Sequence, residues 1–365
     1  MKLAIDKDVL FESIQTAYKF SSDKINTPTV LQGIYILLDK KNMHFYATDL
    51  NAFCHIVVPV ITTKKADFFT EPKKLMEFLQ ILPAGEVEVE TRETGIQIVQ
   101  GKTKGNFQLI DAKDFPYPPE LKEEEQLIKT EFLTEKLSRL LFTASTDEAR
   151  PVLTGINFVA VGGELTLVAT DGFRLSVIKE KRAGAFSSMI VPSGFLREVL
   201  REAKNHKEVG FTFSEKEQVV RFTIGQKELY SRLIDGEFPP YERVIPDEKR
   251  TTVTLNRDEL LRNTKIISIF ARDYSNVIVY DFSEKGLLLA PKKEANAENT
   301  TMQDIEIVGE PVRVAFNFRY MLDFLNNVSS EEIVIELLRS DAPTLFKVKG
   351  DDSFFHIIMP VRIQE

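Results

Sequence analysis

The pentapeptide Val152-Leu153-Thr154-Gly155-Ile156 has a near copy, VLQGI, at residues 30–34, which is an offset of 122 residues. The triplet Ala-Thr-Asp recurs at the same offset, at residues 47–49 and 169–171. A third match, Leu-Ile-Asp followed by Phe-Pro, occurs within 109–116 and 233–239, at offsets of 124 and 123. Ordered matches at a nearly constant spacing predict an internal duplication, and a chain of 365 residues has room for three such units.

The third copy is fainter in its letters but follows the same order of elements. The segment LLLA at 287–290 lies 121 residues after TLVA at 166–169, the predicted strand before the second triplet. Apolar residues at helical spacing predict two helices in each third of the chain, at 7–20 and 72–82, at 131–144 and 193–205, and at 256–270 and 317–327. Alternating segments between the helices, such as 85–90 and 332–336, predict strands.

These patterns predict an α+β fold built from three tandem repeats, each with two helices packed on antiparallel sheets. Short charged segments at 122–125 and 247–250 mark the ends of the first two repeats. We therefore expect domains at residues 1–125, 126–250 and 251–365.

Composition restricts the class of protein. A hydrophobic content of 43% with 28% charged residues is ordinary for a soluble globular chain, and the single cysteine, Cys54, excludes an intramolecular disulfide. The chain has no apolar run long enough for a transmembrane helix or a signal peptide, so we expect a cytoplasmic protein without a membrane partner. The net charge of −8 argues against coating nucleic acid by bulk charge, but it leaves a local basic surface possible.

Motifs for catalysis or cofactor binding are missing. The four histidines, His44, His55, His206 and His356, are scattered along the chain, without the spacing of a metal site. No GxSxG motif occurs, and the glycines at 95 and 101 are one residue too far apart for a phosphate-binding loop. We expect no metal, no cofactor and no enzymatic activity.

The aspartates of the repeated triplet, Asp49 and Asp171, permit two interpretations. Either could act as a general base. An aspartate directly after an alternating strand more often accepts hydrogen bonds from its own neighbouring backbone and makes a turn. Its recurrence at the same place in two repeats favours the turn.

Four segments resemble those of the bacterial sliding clamp family, the beta subunit of the replicative DNA polymerase. They are RPVLTG at 150–155, ATDGFRL at 169–175, LIDGEFP at 233–239 and MPVRI at 359–363. The resemblance covers the whole chain and implies a head-to-tail homodimer that forms a ring around double-stranded DNA, with helices lining the hole and sheets outside. It also implies a processivity factor in DNA replication and DNA repair, with DNA polymerases, a clamp loader and repair proteins as partners.

The same resemblance implies a pocket that accepts a short partner peptide with leucine and aromatic side chains. Such a peptide suits a mostly apolar lining that includes a flexible methionine. Phe173 stands where the family often has histidine. The positions that match the family's motifs are Leu153, Thr170, Gly172, Phe173, Arg174, Leu175, Pro239, Val244, Ile357, Met359, Pro360, Val361, Arg362 and Ile363.

Basic residues recur on most of the predicted helices. Arg197, Arg201 and Lys204 have the spacing i, i+4 and i+7, which puts three cations on one helical stripe. A solvated helix face is the alternative for any single helix, but threefold stacking would turn these helices to one common side. The expected DNA-facing set is Lys19, Lys24, Lys73, Lys74, Lys136, Arg139, Arg150, Arg197, Arg201, Lys204, Arg262 and Lys265.

The dimer contact is expected at an edge strand that contains Phe107 and Leu109, whose side chains face one side because they alternate. Its counterpart on the next subunit would be Ile269 and Phe270, since head-to-tail contacts close into a ring when the geometry fits. Two alternatives to a DNA sliding clamp stay open. One is a repeat-built enzyme that uses Asp49 or Asp171, and the other is a clamp paralogue that has lost DNA or loader function.

Overall fold

The computed structural model describes residues 2–22, 24, 26–62, 65–92, 95–109, 114–181, 186–272, 275–292 and 299–362. Its helices lie where the apolar spacing predicted them, two in each repeat. They are α1 (Lys7–Tyr18), α2 (Pro72–Ile81), α3 (Thr130–Leu141), α4 (Ser193–Ala203), α5 (Arg257–Ala271) and α6 (Phe318–Asn327). Within the described residues, no helix is long and apolar enough to cross a membrane.

Strands make up about half of the remaining chain. Those of the first repeat are β1 (Lys2–Asp6), β2 (Ile34–Leu38), β3 (Asn42–Thr48), β4 (Ala52–Pro59), β5 (Ala66–Thr70), β6 (Glu86–Thr91), β7 (Gly95–Gln100) and β8 (Thr103–Gln108). Those of the second are β9 (Gln126–Lys129), β10 (Gly155–Val161), β11 (Glu164–Thr170), β12 (Arg174–Glu180), β13 (Met189–Pro192), β14 (Glu208–Ser214), β15 (Val219–Ile224) and β16 (Lys227–Arg232). Those of the third are β17 (Thr251–Asn256), β18 (Val277–Ser283), β19 (Gly286–Pro291), β20 (Thr301–Gln303), β21 (Glu306–Gly309), β22 (Val312–Asn317), β23 (Glu332–Leu337), β24 (Thr344–Val348) and β25 (Asp351–Ile358).

Side-chain caps define where several helices begin. The Asp6 carboxylate accepts hydrogen bonds from the backbone N–H groups of Asp8 and Val9, at 2.9 and 3.1 Å, at the start of α1. The Asn256 side chain caps α5 and the Asn317 side chain caps α6 in the same way. Each cap satisfies backbone donors that have no partner inside the helix, which stabilises the helix by about 1 kcal/mol.

The first compact unit consists of Met1–Thr130 and Glu198–Leu233. It holds a four-stranded sheet, β1-β6-β7-β8, and an eight-stranded sheet, β5-β2-β3-β4-β16-β15-β14-β9. In the larger sheet, β4 of the first repeat pairs antiparallel with β16 of the second, with Phe53 opposite Tyr230. The helix α1 packs against α2 and against strands of this sheet.

The second compact unit consists of Glu131–Arg197 and Ile234–Glu365. It holds a four-stranded sheet, β20-β19-β18-β22, and a nine-stranded sheet, β13-β10-β11-β12-β25-β24-β23-β17-β21. Here β12 of the second repeat pairs antiparallel with β25 of the third, with Leu175 opposite Ile357. The predicted α+β repeat fold is confirmed, but each large sheet contains strands of two repeats, so the domain boundaries near 125 and 250 stay predictions.

The glycine of the repeated pentapeptide is required by a close approach between strands. A Cβ atom on Gly33 would lie 2.5 Å from the Phe69 ring, and one on Gly155 would lie 2.6 Å from Ile190 Cγ2. Both distances are shorter than real Cβ contacts, and backbone oxygens lie close behind at both positions. The motif therefore has glycine in both repeats because strands β2 and β10 have no space for a side chain at their starts.

We predict that Gly155→Ala destabilises the second unit by about 1–3 kcal/mol, because the added methyl group must displace Ile190 or the backbone beside it. The matched control is Gly194→Ala, since a Cβ there has no neighbour within 4 Å. Urea unfolding of both variants measures the difference. Equal stability of the two variants would contradict the steric explanation.

Candidate functional site

The turn between β11 and β12 is built by the side chains of the repeated triplet. The Asp171 carboxylate accepts hydrogen bonds from the backbone N–H groups of Phe173 and Arg174, at 2.9 and 3.1 Å. The Thr170 hydroxyl accepts from the Gly172 N–H at 3.0 Å and donates to the Arg174 carbonyl at 2.6 Å. Gly172 has a φ of 91°, the left-handed region that glycine adopts without strain.

The first repeat contains the same turn. The Asp49 carboxylate accepts from the N–H groups of Asn51 and Ala52, at 2.9 and 2.7 Å, and the Thr48 hydroxyl accepts from the Leu50 N–H. Leu50 takes the place of Gly172 and has a φ of 76°. The prediction that Asp49 and Asp171 make turns is confirmed, and their hydrogen bonds leave the general-base alternative without support.

Arg174 anchors this turn to the elements around it. Its guanidinium donates to the carboxylates of Asp171 and Asp323, at 3.0 and 2.6 Å, and to the Phe142 carbonyl at 2.7 Å. It also lies over the Tyr320 ring, 4.6 Å from the centroid, an attractive cation–π geometry. The Arg174 side chain is only 9% exposed, and its charge is already paired with two carboxylates. Arg174 therefore stabilises the cavity wall and is not available to bind a charged ligand.

Beside this turn lies an open cavity of about 350 Å³, within the second unit, in the range typical of ligand sites. Residues of both the second and the third repeats line it. They are Arg150, Leu153, Thr170, Gly172, Arg174, Leu175, Pro239, Pro240, Tyr241, Val244, Ile357 and Met359.

The floor of the cavity is the strand pair β12–β25, and one side is formed by the segment after β16. Leu175 and Ile357 belong to an apolar cluster on which Phe238, Tyr241 and Ile245 pack. Burial raises the pKa of Tyr241 to about 12, so its hydroxyl stays neutral at physiological pH. The cavity is therefore apolar at its floor, with Arg150 about half exposed at its edge.

Most of the predicted pocket residues line this cavity. Pro240 and Tyr241 were missed, although the run Phe238-Pro-Pro-Tyr241 was a signal for an aromatic segment folded over the sheet. Arg150 was expected to face DNA and lies instead on the cavity lining, where it donates to the Asp171 carbonyl. Phe173 lies outside the lining, 57% exposed, with its ring stacked 6.4 Å from that of Tyr320.

Of the predicted pocket residues at 359–363, Met359 lines the cavity. Pro360 and Arg362 lie outside the lining. Val361 packs on Val277, Val279 and Ala315, and its N–H donates to the Ala315 carbonyl. Ile363 lies outside the described residues.

The basic residues expected to face DNA differ in how much charge they present. Lys136 and Arg139 are mostly buried and form ion pairs with Glu180 and Asp351, at 2.5 and 2.6 Å, so neither charge is available to a phosphate. The exposed members are Lys19, Lys24, Lys73, Lys74, Arg197, Arg201, Lys204, Arg262 and Lys265.

Arg197 and Arg201 on α4, with Lys204 directly after it, form the predicted basic stripe. The buried Leu196, Val199 and Ala203 lie on another face of the helix. Arg197 is exposed over only part of its side chain, because its guanidinium donates to the Leu141 carbonyl, and this partial burial lowers its pKa. Arg201 forms ion pairs with glutamates of the same helix.

The residues expected at the dimer contact are on the surface or partly so. Phe107 is on β8, which is an end strand of its sheet, and Leu109 follows it, both partly buried. Ile269 and Phe270 are 60% and 38% exposed on α5, which packs against β19 and β20. Both sets therefore lie near strands, β8 and β20, that pair on only one side within the part of the chain that the structure describes.

Three family models match the chain in order. They are the N-terminal domain of the DNA polymerase III beta subunit at residues 1–119, its central domain at 127–240 and its C-terminal domain at 242–362. The chain therefore belongs to the DNA polymerase III beta subunit family.

Relatives of known name agree with the family match. The chain is 26% identical to the beta sliding clamp of Bacillus subtilis and 25% identical to that of Halalkalibacterium halodurans, over 99% of this chain and 100% of each relative. The sliding clamp structure from B. subtilis superposes with a TM-score of 0.91 at 26% identity, over the full length of both chains. The beta subunit from Thermotoga maritima shows the same fold, with a TM-score of 0.90 at 23% identity.

Directly next to the cavity floor, β25 carries a buried histidine. His356 is fully buried, its Nδ1 lies 2.8 Å from the Ser176 hydroxyl, and its ring stacks on Phe324 with centroids 5.2 Å apart. Its Nε2 has no hydrogen-bond partner among the described residues. Burial and the charge of Arg174 hold the pKa of His356 well below its ordinary value.

We predict that the second unit loses stability as the pH falls below about 6.5. In that range His356 binds a proton in the unfolded chain but stays neutral in the folded chain, so protonation favours unfolding. The loss reaches about 1.4 kcal/mol for each pH unit while folded His356 stays neutral. Unfolding of the natural chain and of His356→Gln between pH 7 and pH 5 measures it, with the exposed His206→Gln as control. An equal pH dependence in all three proteins would contradict this explanation.

Proposed function

We propose that two copies of this chain close head to tail into a ring that encircles double-stranded DNA. The observation that carries the proposal is a pairing rule between repeats. Each large sheet consists of two halves that come from successive repeats. The two halves meet through an antiparallel strand pair, β4 with β16 in the first unit and β12 with β25 in the second. The corresponding strands β20 of the third repeat and β8 of the first have no such partner among the described residues, and each is the end strand of its own sheet.

A second copy supplies the partner that both leftover strands lack. Pairing β20 with β8 of the next subunit continues the rule, and a heterologous contact of this kind forms a closed ring when its rotation allows. Exposed apolar side chains support this assignment, because Met302 on β20 is 55% exposed and Ile269 and Phe270 lie on the neighbouring helix. Beside β8, a recess of about 350 Å³ is bordered by Phe107 and Lys74 and is suited to a side chain from the partner.

Exposed cations on the helices would keep the duplex centred in such a ring. A ring holds DNA by topology, so a few weak phosphate contacts are enough and tight binding would oppose sliding. The net charge of −8 agrees with this, since it disfavours binding to DNA by bulk charge. We infer a non-enzymatic processivity factor that works in the cytoplasm, where the bacterial chromosome lies.

We predict that replacing Arg201 and Lys204 with glutamine weakens the dependence of DNA binding on salt. Two lost phosphate contacts lower the slope of log K against log salt by at most about 1.8, because Arg201 also forms ion pairs with Glu198 and Glu202. Arg197 is left in place because its hydrogen bond to the Leu141 carbonyl supports the end of α3. The control replaces Lys129 and Lys216, which lie on or between strands. Equal slopes for both double variants would contradict the proposal that α4 faces DNA.

The cavity beside Leu175 would bind the proteins that the ring tethers. Its apolar floor, with the flexible Met359 in the lining, suits the leucine and aromatic side chains of an extended peptide. Arg150, which is partly exposed, would favour an acidic group or the peptide backbone near the entrance. We infer that replicative polymerases, repair proteins and the clamp loader compete for this one site.

We predict that Val244→Asp lowers the affinity for such a peptide at least tenfold, which corresponds to about 1.4 kcal/mol, because it puts a charge into an apolar cavity. Val244 lines the cavity and is 38% exposed, so the fold tolerates the substitution. Calorimetric titration with a peptide that carries one leucine and one aromatic residue measures the effect. Val161→Asp, on an exposed hairpin of the same unit, is the control, and equal affinities of the two variants would place the peptide elsewhere.

A further inference from the structure

Two of the histidines that look scattered in the sequence meet on the large sheet of the first unit. His44 on β3 and His55 on β4 approach each other with Nδ1 and Nε2 3.0 Å apart. The ring planes differ by only 12° and the centroids are 5.3 Å apart, so the two nitrogens face each other edge to edge. This arrangement fits a hydrogen bond between the two rings, a contact that the spacing of the histidines in the sequence does not indicate.

A carboxylate holds the outer nitrogen of each ring. His44 Nε2 lies 3.2 Å from Asp39 Oδ2, and His55 Nδ1 lies 2.8 Å from Glu228 Oε2. Backbone N–H groups at the β2–β3 turn hold the pKa of Asp39 well below its ordinary value, and the hydrogen bond from His55 lowers that of Glu228. Both carboxylates are therefore ionised at neutral pH and can only accept hydrogen bonds.

Counting hydrogens shows that two neutral rings are not enough. The two outer nitrogens must each donate to a carboxylate, and the contact between the inner nitrogens needs a third hydrogen. Two neutral imidazoles carry only two N–H groups in all. Without a third, one of the three contacts has no hydrogen, and a ring nitrogen's lone pair faces either the other ring's nitrogen at 3.0 Å or a carboxylate oxygen.

The surroundings favour one extra positive charge. The Tyr46 ring is parallel to His55 with centroids 4.4 Å apart, and a tyrosine face attracts an imidazolium. Burial raises the pKa of Tyr46 to about 12, so the tyrosine stays neutral. The charged and titratable groups that face the pair are Asp39 before β3, Tyr46 on β3, Glu228 on β16, Arg221 on β15 beside Glu228, and Tyr117 against Tyr46.

We propose that His44 and His55 share one proton at neutral pH and form a proton-dependent latch across the joint between the first and second repeats. His55 on β4 is directly opposite Glu228 on β16, so the hydrogen-bonded chain crosses the strand pair that joins the two repeats. Loss of the proton at higher pH breaks one of the three hydrogen bonds and removes the positive charge between two carboxylates. The latch therefore contributes its full stability below about pH 6.5, and the contribution is lost as the pH rises through the midpoint of the folded pair.

The direct test is histidine ring NMR on the full-length chain labelled with ¹⁵N-histidine, at pH 7.5 and in the presence of EDTA. We expect the pair to show one imidazolium, and the signals of exposed His206 serve as the reference for a histidine outside the pair. Two neutral rings in the natural protein would overturn the proposal, and so would a pattern that changes when EDTA is omitted, since a metal ion would then hold the two nitrogens.

A second test measures how the stability of the folded chain depends on pH. Between pH 6.5 and 8.5 the folded-to-unfolded ratio should fall by up to tenfold per pH unit in the natural chain, beyond the change seen for His55→Gln. Asp39→Asn keeps an acceptor for the turn and should lower the midpoint of the pair by about one pH unit. His206→Gln is the control. Equal pH profiles for the natural chain and His55→Gln would contradict the latch.

Discussion

Antiparallel pairing between strands of successive repeats is the constraint on which the rest of the structure depends. In the first unit it joins β4 to β16, and in the second unit it joins β12 to β25. The pairing extends each large sheet beyond a single repeat, and it leaves β8 and β20 at the ends of their own sheets. A head-to-tail ring would satisfy these strands by the same rule, so the pairing links the internal duplication to the proposed assembly.

The two joints have the same backbone plan but different side chains. Leu175 and Ile357 lie opposite each other at one joint, where the cavity opens beside them. Their places at the other joint are taken by Phe53 and Tyr230, which form a cluster that Leu121 covers. The two joints share their strand pairing, while their side chains give one joint a cavity and the other the contact between His44 and His55.

The sequence was sufficient for features that depend on local or periodic patterns. Helix positions follow from apolar spacing, and the turn role of Asp171 follows from its place directly after a strand. Pairing between distant strands is not encoded in any local pattern, and this is why three sites were missed. The contact of His44 with His55, the neutralisation of Lys136 and the place of Arg150 on the cavity each depend on which strands or helices become neighbours.

The turn position occupied by Gly172 in one repeat and by Leu50 in the other shows that residue type alone does not always predict the backbone conformation. Gly172 at a φ of 91° suits the local rule for a left-handed residue, but its counterpart Leu50 adopts a φ of 76° without glycine. The hydrogen bonds of Thr48 and Asp49 hold that turn, so the repeated architecture determines the backbone at a position where the residue type alone would predict otherwise.

Retention on DNA of different topology tests the central claim most directly. The protein is loaded onto nicked circular duplex DNA by a bacterial clamp loader, and half of the sample is then linearised with a restriction enzyme before gel filtration in moderate salt. A ring that encloses DNA without binding it tightly should elute with the circular DNA and be lost from the linear DNA. Equal retention on both forms, or equal loss from both, would contradict a sliding ring.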